Sequence, residues 1–276
     1  MKKFRPISLV FSLIFLCVVS SAAQSLKIST QEEIEADVRA NVCENGERLN
    51  AIKKLFLKMG ATEADLKIEK IKNVENLVVT KKGETEEIVI VGAHYDKTPE
   101  GCGAIDNWTG IVILANLYRT MKDFSSKKTY RFVAFGKEEL GLLGSDEMAR
   151  AIPKEKRVGY CAMVNFDSFG FTSPQVMGNV SDEKLIDLAK AISEELNLPF
   201  AKDVIQFASS DSESFRRQKI PAVTFHGLTE RWREYLHGAR DKVENIDFKS
   251  VYTAYRYGLI YLSKIDSKNC ADFRKK

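Results

Sequence analysis

The sequence predicts an α/β fold: a three-layer sandwich in which a mixed, mainly parallel sheet is covered by helices on both faces. Three observations predict it. Apolar runs of strand length alternate with segments of helical period along most of the chain. Several runs, IVIVGAH at 88–94 and YCAMVNF at 160–166 among them, are apolar at consecutive positions, as strands buried on both faces are. No internal repeat, low-complexity tract or Pro/Gly/Ser-rich linker interrupts the pattern, so one domain over 24–276 is expected.

Residues 1–23 form a segment apart. Lys2, Lys3 and Arg5 give a positive start, Ile7 to Val19 an apolar middle, and Ser21-Ala22-Ala23 a small-residue end, the pattern of a signal peptide. The run is short for a membrane span, which takes roughly 20 residues, and bulky Phe15 and Leu16 before Cys17 argue against a lipid anchor. A secreted or periplasmic protein beginning near Gln24 is expected.

From Thr30 to Met59 the period is helical, with Thr30 as N-cap, Glu32 and Glu33 in the first turn, and Gly60 as the stop. Leu66 to Ile71 alternates as a half-exposed strand does. Asn76 to Thr80 and Glu87 to Val91 read as strands joined in a hairpin across Lys81-Lys82-Gly83. Trp108 to Met121 reads as an amphipathic helix. The run Phe132-Val133-Ala134-Phe135 is a buried strand ended by Gly136, and a helix follows over Asp146 to Ala151. Tyr160 to Phe166 is a strand, Glu183 to Leu196 a helix capped by Ser181 or Asp182, Ala222 to Phe225 a strand, and Phe248 to Ile265 the closing helix.

The formal charge is +4, and three of the positive charges are those of Lys2, Lys3 and Arg5, so the remainder is close to +1. That balance points to neither nucleic acid nor a membrane surface as partner. A monomer is a separate expectation. Beyond the leader stand Cys43, Cys102, Cys161 and Cys270, too widely spaced for a zinc-binding cluster. Export permits disulfides. Cys43 and Cys270, near the two ends, are the expected staple, and Cys161 with Cys102 is geometrically awkward.

Chemistry concentrates at strand ends. One strand finishes in His94-Tyr95-Asp96, the next runs into the adjacent pair Glu138-Glu139, and a third finishes in Asp167. Asp106 follows the first in AIDNWTG, and His237 comes late in LHGARD. Open α/β sheets place their sites beyond the carboxyl ends of strands. Adjacent carboxylates flanked by apolar residues need a compensating cation or proton. Imidazole nitrogen and carboxylate oxygen suit zinc, and two ions a few ångströms apart need one shared carboxylate and about two further ligands each. His94, Asp106, Glu139, Asp167 and His237 meet that count with one glutamate left as general base; spacing does not say which of the two glutamates it is.

The phrases GAHYD, DNWTG, FGKEELGLLGS, VNFDS and LHGARDKVENID, in that order, resemble the co-catalytic zinc aminopeptidases, a family that also includes the glutaminyl cyclases. The resemblance spans Asn76 to Ile246. It implies a phosphorylase/hydrolase-like fold and two Zn2+ ions: Asp106 bridging them, His94 and Asp167 on one, Glu139 and His237 on the other. It further implies Glu138 as general base and Asp96 as the carboxylate bonded to the first histidine. The implied activity is a secreted exopeptidase acting on peptides, most plainly an aminopeptidase; glutaminyl cyclisation is the alternative, and a catalytically silent binding domain is disfavoured by the complete ligand set. Asp211, in SSDSESF where the family carries a histidine in place of Ser212, reads as a positioning acid. His226 reads as a hydrogen-bonded strand-end histidine or a pocket residue. Trp108 reads as helix packing, with the pocket wall as its alternative, Arg231-Trp232-Arg233 as a solvated loop, with approach to substrate as its alternative, and Arg240 with Asp241 as a structural pair.

Overall fold

Strands that are apolar on both faces need neighbours on both sides, and the chain supplies them. In the computed structural model, which describes residues 26–205 and 208–274, eight strands form one sheet. They are β1 (Leu66–Ile71), β2 (Val74–Lys81), β3 (Ile88–His94), β4 (Thr129–Phe135), β5 (Tyr160–Phe166), β6 (Gln175–Met177), β7 (Lys202–Asp203) and β8 (Ala222–His226). Their spatial order is β1-β2-β4-β3-β5-β8-β6-β7. The central four, β4-β3-β5-β8, are parallel, and antiparallel pairs flank them at β1-β2-β4 and β8-β6. The leader expected over 1–23 lies outside the described residues. No described helix is long and apolar enough to cross a membrane.

The two-residue side-chain period of a strand sorts the core into two layers. On β4, Tyr130, Phe132 and Ala134 join one buried cluster while Val133 and Phe135 join the other. The first cluster is covered by α1 (Gln31–Arg39), α2 (Asn45–Lys58), α3 (Thr109–Met121), α5 (Glu183–Glu195) and α7 (Phe248–Ser267). The second is covered by α4 (Leu143–Ala151) and α6 (Asp211–Arg217). This is the expected three-layer architecture.

Four local expectations are corrected. The helix expected over 30–59 is two helices, because Ala40–Glu44 leave the helical path. The Arg48 guanidinium there takes the Val42 carbonyl at 2.8 Å, and Cys43 is tied to Cys102. The expected β2–β3 hairpin is absent: β4 lies between those strands, and the hairpin is β1–β2, turning at Lys72 with φ 53°. The connector before β3 instead crosses the start of β4, where the N–H groups of Glu84 and Thr85 donate to Ser126 and Lys127 at 3.0 and 2.8 Å. The helix α3 is not amphipathic; all of it but Arg119 is buried, since it is sandwiched between the sheet, α1, α2 and α7. The disulfides are Cys43–Cys102 and Cys161–Cys270, not an end-to-end staple. Cys161 opens β5 beside the C-terminal turn, far along the strand from the site-bearing end, which is what makes Cys270 its neighbour.

At the head of α5, Asp182 occupies the N-cap position, but its carboxylate accepts from Ala222 N–H at 2.9 Å, tying helix to strand. The short β6, β7 and α6 escaped sequence reading, being too brief to show a period.

Thr30 closes a capping box: its hydroxyl accepts from Glu33 N–H at 3.2 Å and Glu33 accepts from Thr30 N–H at 2.9 Å. Arg119 also donates to Glu33 at 2.7 Å, and this bond, then the one from Thr30, holds the Glu33 carboxyl below its ordinary 4.5. A depressed folded pKa means stabilisation that is complete above pH 4.5 and lost as pH falls through the folded value. Thr30→Ala should cost about 1 kcal/mol. Glu33→Gln should flatten the acid limb of stability, read from urea midpoints between about pH 3 and pH 7; an unaltered slope would show that this carboxylate contributes nothing.

Candidate metal centre

The carboxyl ends of β3, β4 and β5 open onto one hollow, and each delivers a side chain to it. His94 is the last residue of β3, Glu138 and Glu139 follow β4 beyond Gly136, and Asp167 follows β5. Asp106 returns from the loop before α3, and His237 comes from the loop after β8, half-exposed at the rim.

Asp106 is the junction of the group. Its Oδ1 lies 3.0 Å from His94 Nε2 and its Oδ2 lies 3.1 Å from His237 Nε2. A second carboxylate attends each imidazole: Asp167 Oδ1 at 3.5 Å from His94 Nε2, and Glu139 Oε2 at 3.4 Å from His237 Nε2. Ligand atoms of His94, Asp106 and Glu139 all lie within 4.8 Å of one another. The five residues thus divide into two half-sites that share a carboxylate. Among the described residues Glu139 Oε1 is buried without a hydrogen-bond partner, an acceptor that a cation would satisfy. The donor set therefore fits divalent metal, hard oxygen and borderline nitrogen together.

The electrostatics are those of crowded acids short of positive charge. Burial pushes Glu138 well above the usual carboxylate range, and burial with the Asp106 charge raises Glu139 to about 8. Burial opposes the charge on Asp106, yet bonds to the two imidazoles hold it well below the usual range. His237 is raised to about 9, first by its bond to Asp106. Burial would lower His94, but the surrounding carboxylates, Glu138 foremost, raise it well above 6.5.

Local sequence explains the placement. Asp96 accepts both consecutive N–H groups of the glutamate pair, Glu138 at 2.9 Å and Glu139 at 3.1 Å, which pins the turn after β4 to the end of β3. The expected carboxylate–histidine bond is not made. His94 Nδ1 meets the backbone carbonyl of Asp96 at 3.1 Å, and the carboxylate stands 3.7 Å off because the glutamate amides claim it. In DNWTG, Asn107 donates to the Phe166 carbonyl at 2.9 Å and accepts from Ser168 N–H at 3.1 Å, while Thr109 accepts from Phe169 N–H at 3.0 Å. These bonds lock the Asp106 loop to the Asp167 loop. Gly110 is required there, since a Cβ would come 2.4 Å from the Phe166 carbonyl oxygen.

Two supports escaped sequence reasoning. Asp241 accepts from Ile105 N–H at 2.6 Å and more weakly from Asp106 N–H at 3.4 Å, so it holds the backbone under the shared carboxylate. It is therefore no partner of Arg240, which faces Glu234 at 3.5 Å. Arg48 is fully buried and donates to the carbonyls of Val42, Cys102 and Gly103 at 2.8, 3.1 and 3.0 Å, as well as to that of Tyr95. Only its place in a helix was legible; a buried arginine has no sequence signature.

Other candidates are placed as follows. Trp108 packs in the core, its Nε1 donating to the Asp37 carbonyl at 3.0 Å, away from the hollow. Asp211 is wholly buried, neither oxygen has a hydrogen-bond partner among the described residues, and burial raises it to about 7. Ser212 donates to the Val180 carbonyl at 2.8 Å. His226 is buried, held down to about 4 by burial, and accepts at Nδ1 from Leu228 N–H at 3.2 Å. Arg231 pairs with Glu234, but Trp232 and Arg233 line the hollow, so that loop is not merely solvated. The cavity is about 440 Å³, with Leu142, Met177, Ile205, Leu228, Trp232 and Leu236 as its apolar wall.

Comparison with known proteins gives the lineage. Residues 76–259 match the model of Peptidase family M28, and the chain belongs to that family. It is 29% identical over 221 residues to Aminopeptidase YwaD of Bacillus subtilis, covering 74% of this chain and 46% of the relative, so it spans about half that protein's length. Among solved structures, the aminopeptidase from Aneurinibacillus sp. strain AM-1 superposes with TM-score 0.62 at 25% identity, covering 71% of this chain and 48% of the other. A glutaminyl cyclase from an Acidobacteriales bacterium shares the fold, with TM-score 0.76 at 15% identity over 90% of this chain and 98% of the other.

The backbone support of Asp106 is open to a direct check. Removing the acceptor with Asp241→Ala should lower divalent-metal affinity about 10–100-fold, and Asp241→Asn, which keeps one acceptor, should lose less. Competition against a chromogenic chelator measures both. Equal affinity in all three proteins would show that Asp241 has no part in placing Asp106.

Proposed function

We propose that this M28 member is a zinc-dependent aminopeptidase that acts on peptides as a secreted or periplasmic monomer, the leader supporting export. The observation that carries the reading is the division of one carboxylate between two imidazoles, each attended by its own second acid. In this reading His94, Asp106 and Asp167 would hold one zinc ion, and Asp106, Glu139 and His237 would hold a second. Zinc, when bound, supplies a Lewis acid for the scissile carbonyl and lowers the pKa of coordinated water.

The chain's own residues supply the rest. Glu138 lines the cavity in a buried setting that raises its proton affinity, so as the carboxylate it would take a proton from the attacking water and, then protonated, give it to the leaving amine. Asp96 fixes the backbone of both glutamates and so sets the distance between base and ligand. The apolar wall takes the substrate's amino-terminal side chain and keeps bulk water away.

Glutaminyl cyclisation, the alternative reading of the same residues, makes the assay two-armed. Zinc content of the purified protein, turnover of a leucyl anilide and conversion of a glutaminyl peptide should give about two ions per chain and activity on the anilide alone. One ion with pyroglutamate formation would replace this reading by the cyclase. Glu138→Gln should retain zinc and lose at least 10²–10⁴-fold in kcat; substantial turnover in the metal-replete variant would remove Glu138 from its role. His237→Ala should instead lower zinc occupancy.

A further inference from the structure

The metal hollow does not stand alone. A second cavity, about 650 Å³, lies against it, and Ile205, Leu228, Trp232 and Arg233 line both. Its inner surface is sheet: Gln175 of β6 and His226 of β8 are paired across the ladder, so their side chains share one face. Its rim is exposed, at Asp203, Val204, Thr229 and Glu230. Two acids, Asp203 and Glu230, stand there with Arg233.

His226 is the unusual member. It is 1% exposed, and its Nδ1 accepts from Leu228 N–H at 3.2 Å, so the ring proton is on Nε2. That Nε2–H is buried and has no partner among the described residues. A buried donor left unpaired bears its full desolvation cost, and the other polar side chain on this face is already engaged: in the orientation that satisfies both of its ends, the Gln175 amide donates to Asp203 Oδ2 at 2.7 Å. An acceptor brought in by a ligand would relieve it. Peptides carry such acceptors at every residue, and one whose first residue fills the metal hollow must continue somewhere.

We propose that the second cavity is the leaving-group subsite, where the peptide beyond the scissile bond lies and a backbone carbonyl accepts from His226 Nε2–H. This rests on the aminopeptidase reading and deepens it: the enzyme favours peptides of three or more residues over substrates with nothing beyond the bond cleaved.

The test compares leucyl-glycyl-glycine with leucinamide, which leaves only ammonia beyond the scissile bond, using zinc-loaded protein. His226→Phe removes the donor, and Val204→Phe, at an exposed rim position (66%), obstructs the cavity without disturbing the core. Each should lower kcat/KM for the tripeptide by about tenfold or more and leave that for leucinamide within about twofold. Equal losses on both substrates, or no loss on the tripeptide with Val204→Phe, would overturn the proposal. Binding of the tripeptide and of leucinamide to Glu138→Gln protein, followed through Trp232 fluorescence, separates the two ideas. If no substrate is hydrolysed but Val204→Phe still weakens the tripeptide selectively, the subsite stands and the hydrolytic reading falls. If hydrolysis is normal and Val204→Phe does not discriminate, the reverse holds.

Discussion

Everything at the mouth of this sheet depends on one carboxylate, that of Asp106, being held where two imidazoles can reach its separate oxygens. The two histidines come from sites 143 residues apart in number, β3 and the loop after β8, and their first common partner is this side chain. Its position is set from three directions. Asp241 bonds the backbone at Ile105, Asn107 and Thr109 bond the loop after β5, and Arg48 gathers the carbonyls just upstream at Cys102 and Gly103. None of these supports touches the hollow itself. A loop that is otherwise irregular is thereby made as fixed as a strand, which is what a multi-ligand centre needs from a loop.

Arg48 also bears on why so many acids can be buried together. Burial pushes it down to about 10, still charged at neutral pH, and the fields of Asp241, Asp96, Asp106 and Glu139 all act to keep it so. With His94, His237 and Arg233 at the rim it faces seven carboxylates, namely Asp96, Asp106, Glu138, Glu139, Asp167, Asp211 and Asp241. The shortfall shows in the acids that are raised: Glu138, Glu139 to about 8, Asp211 to about 7 and Asp241 to about 7. A like-charged cluster of this kind relaxes by taking up protons or by taking up cations. The orphaned Oε1 of Glu139 and the two-way division of Asp106 favour cations.

Much of this was legible in the chain because strand ends are legible. IVIVGAH stops being apolar at His94, RFVAF stops at Gly136, and YCAMVNF stops at Asp167, so the residues at the carboxyl edge could be read from hydropathy alone. What failed was whatever depends on contacts between distant segments. The β2–β3 hairpin looked natural because both strands flank a glycine turn, yet β3 needs a strand on each side and takes β4 and β5. The helix over 30–59 kept its period through Ala40–Glu44, and only Arg48 and the bond to Cys102 break it. The cysteine pairing failed for the same reason: proximity at a chain's two ends says little about proximity in space.

The disulfide Cys43–Cys102 gives these supports a common purpose. It joins the α1–α2 break to the residue that opens the Asp106 loop, and Arg48 lies on the same junction, bonding carbonyls on both sides of it, Val42 and Cys102. A loop of 59 residues closed by that bond includes β1, β2 and β3, so it restricts the unfolded chain as well as the folded loop. One covalent link and one buried cation thus bear on the same short segment. The helical layer is in this way coupled to the metal hollow, although no residue of α1 or α2 lines it.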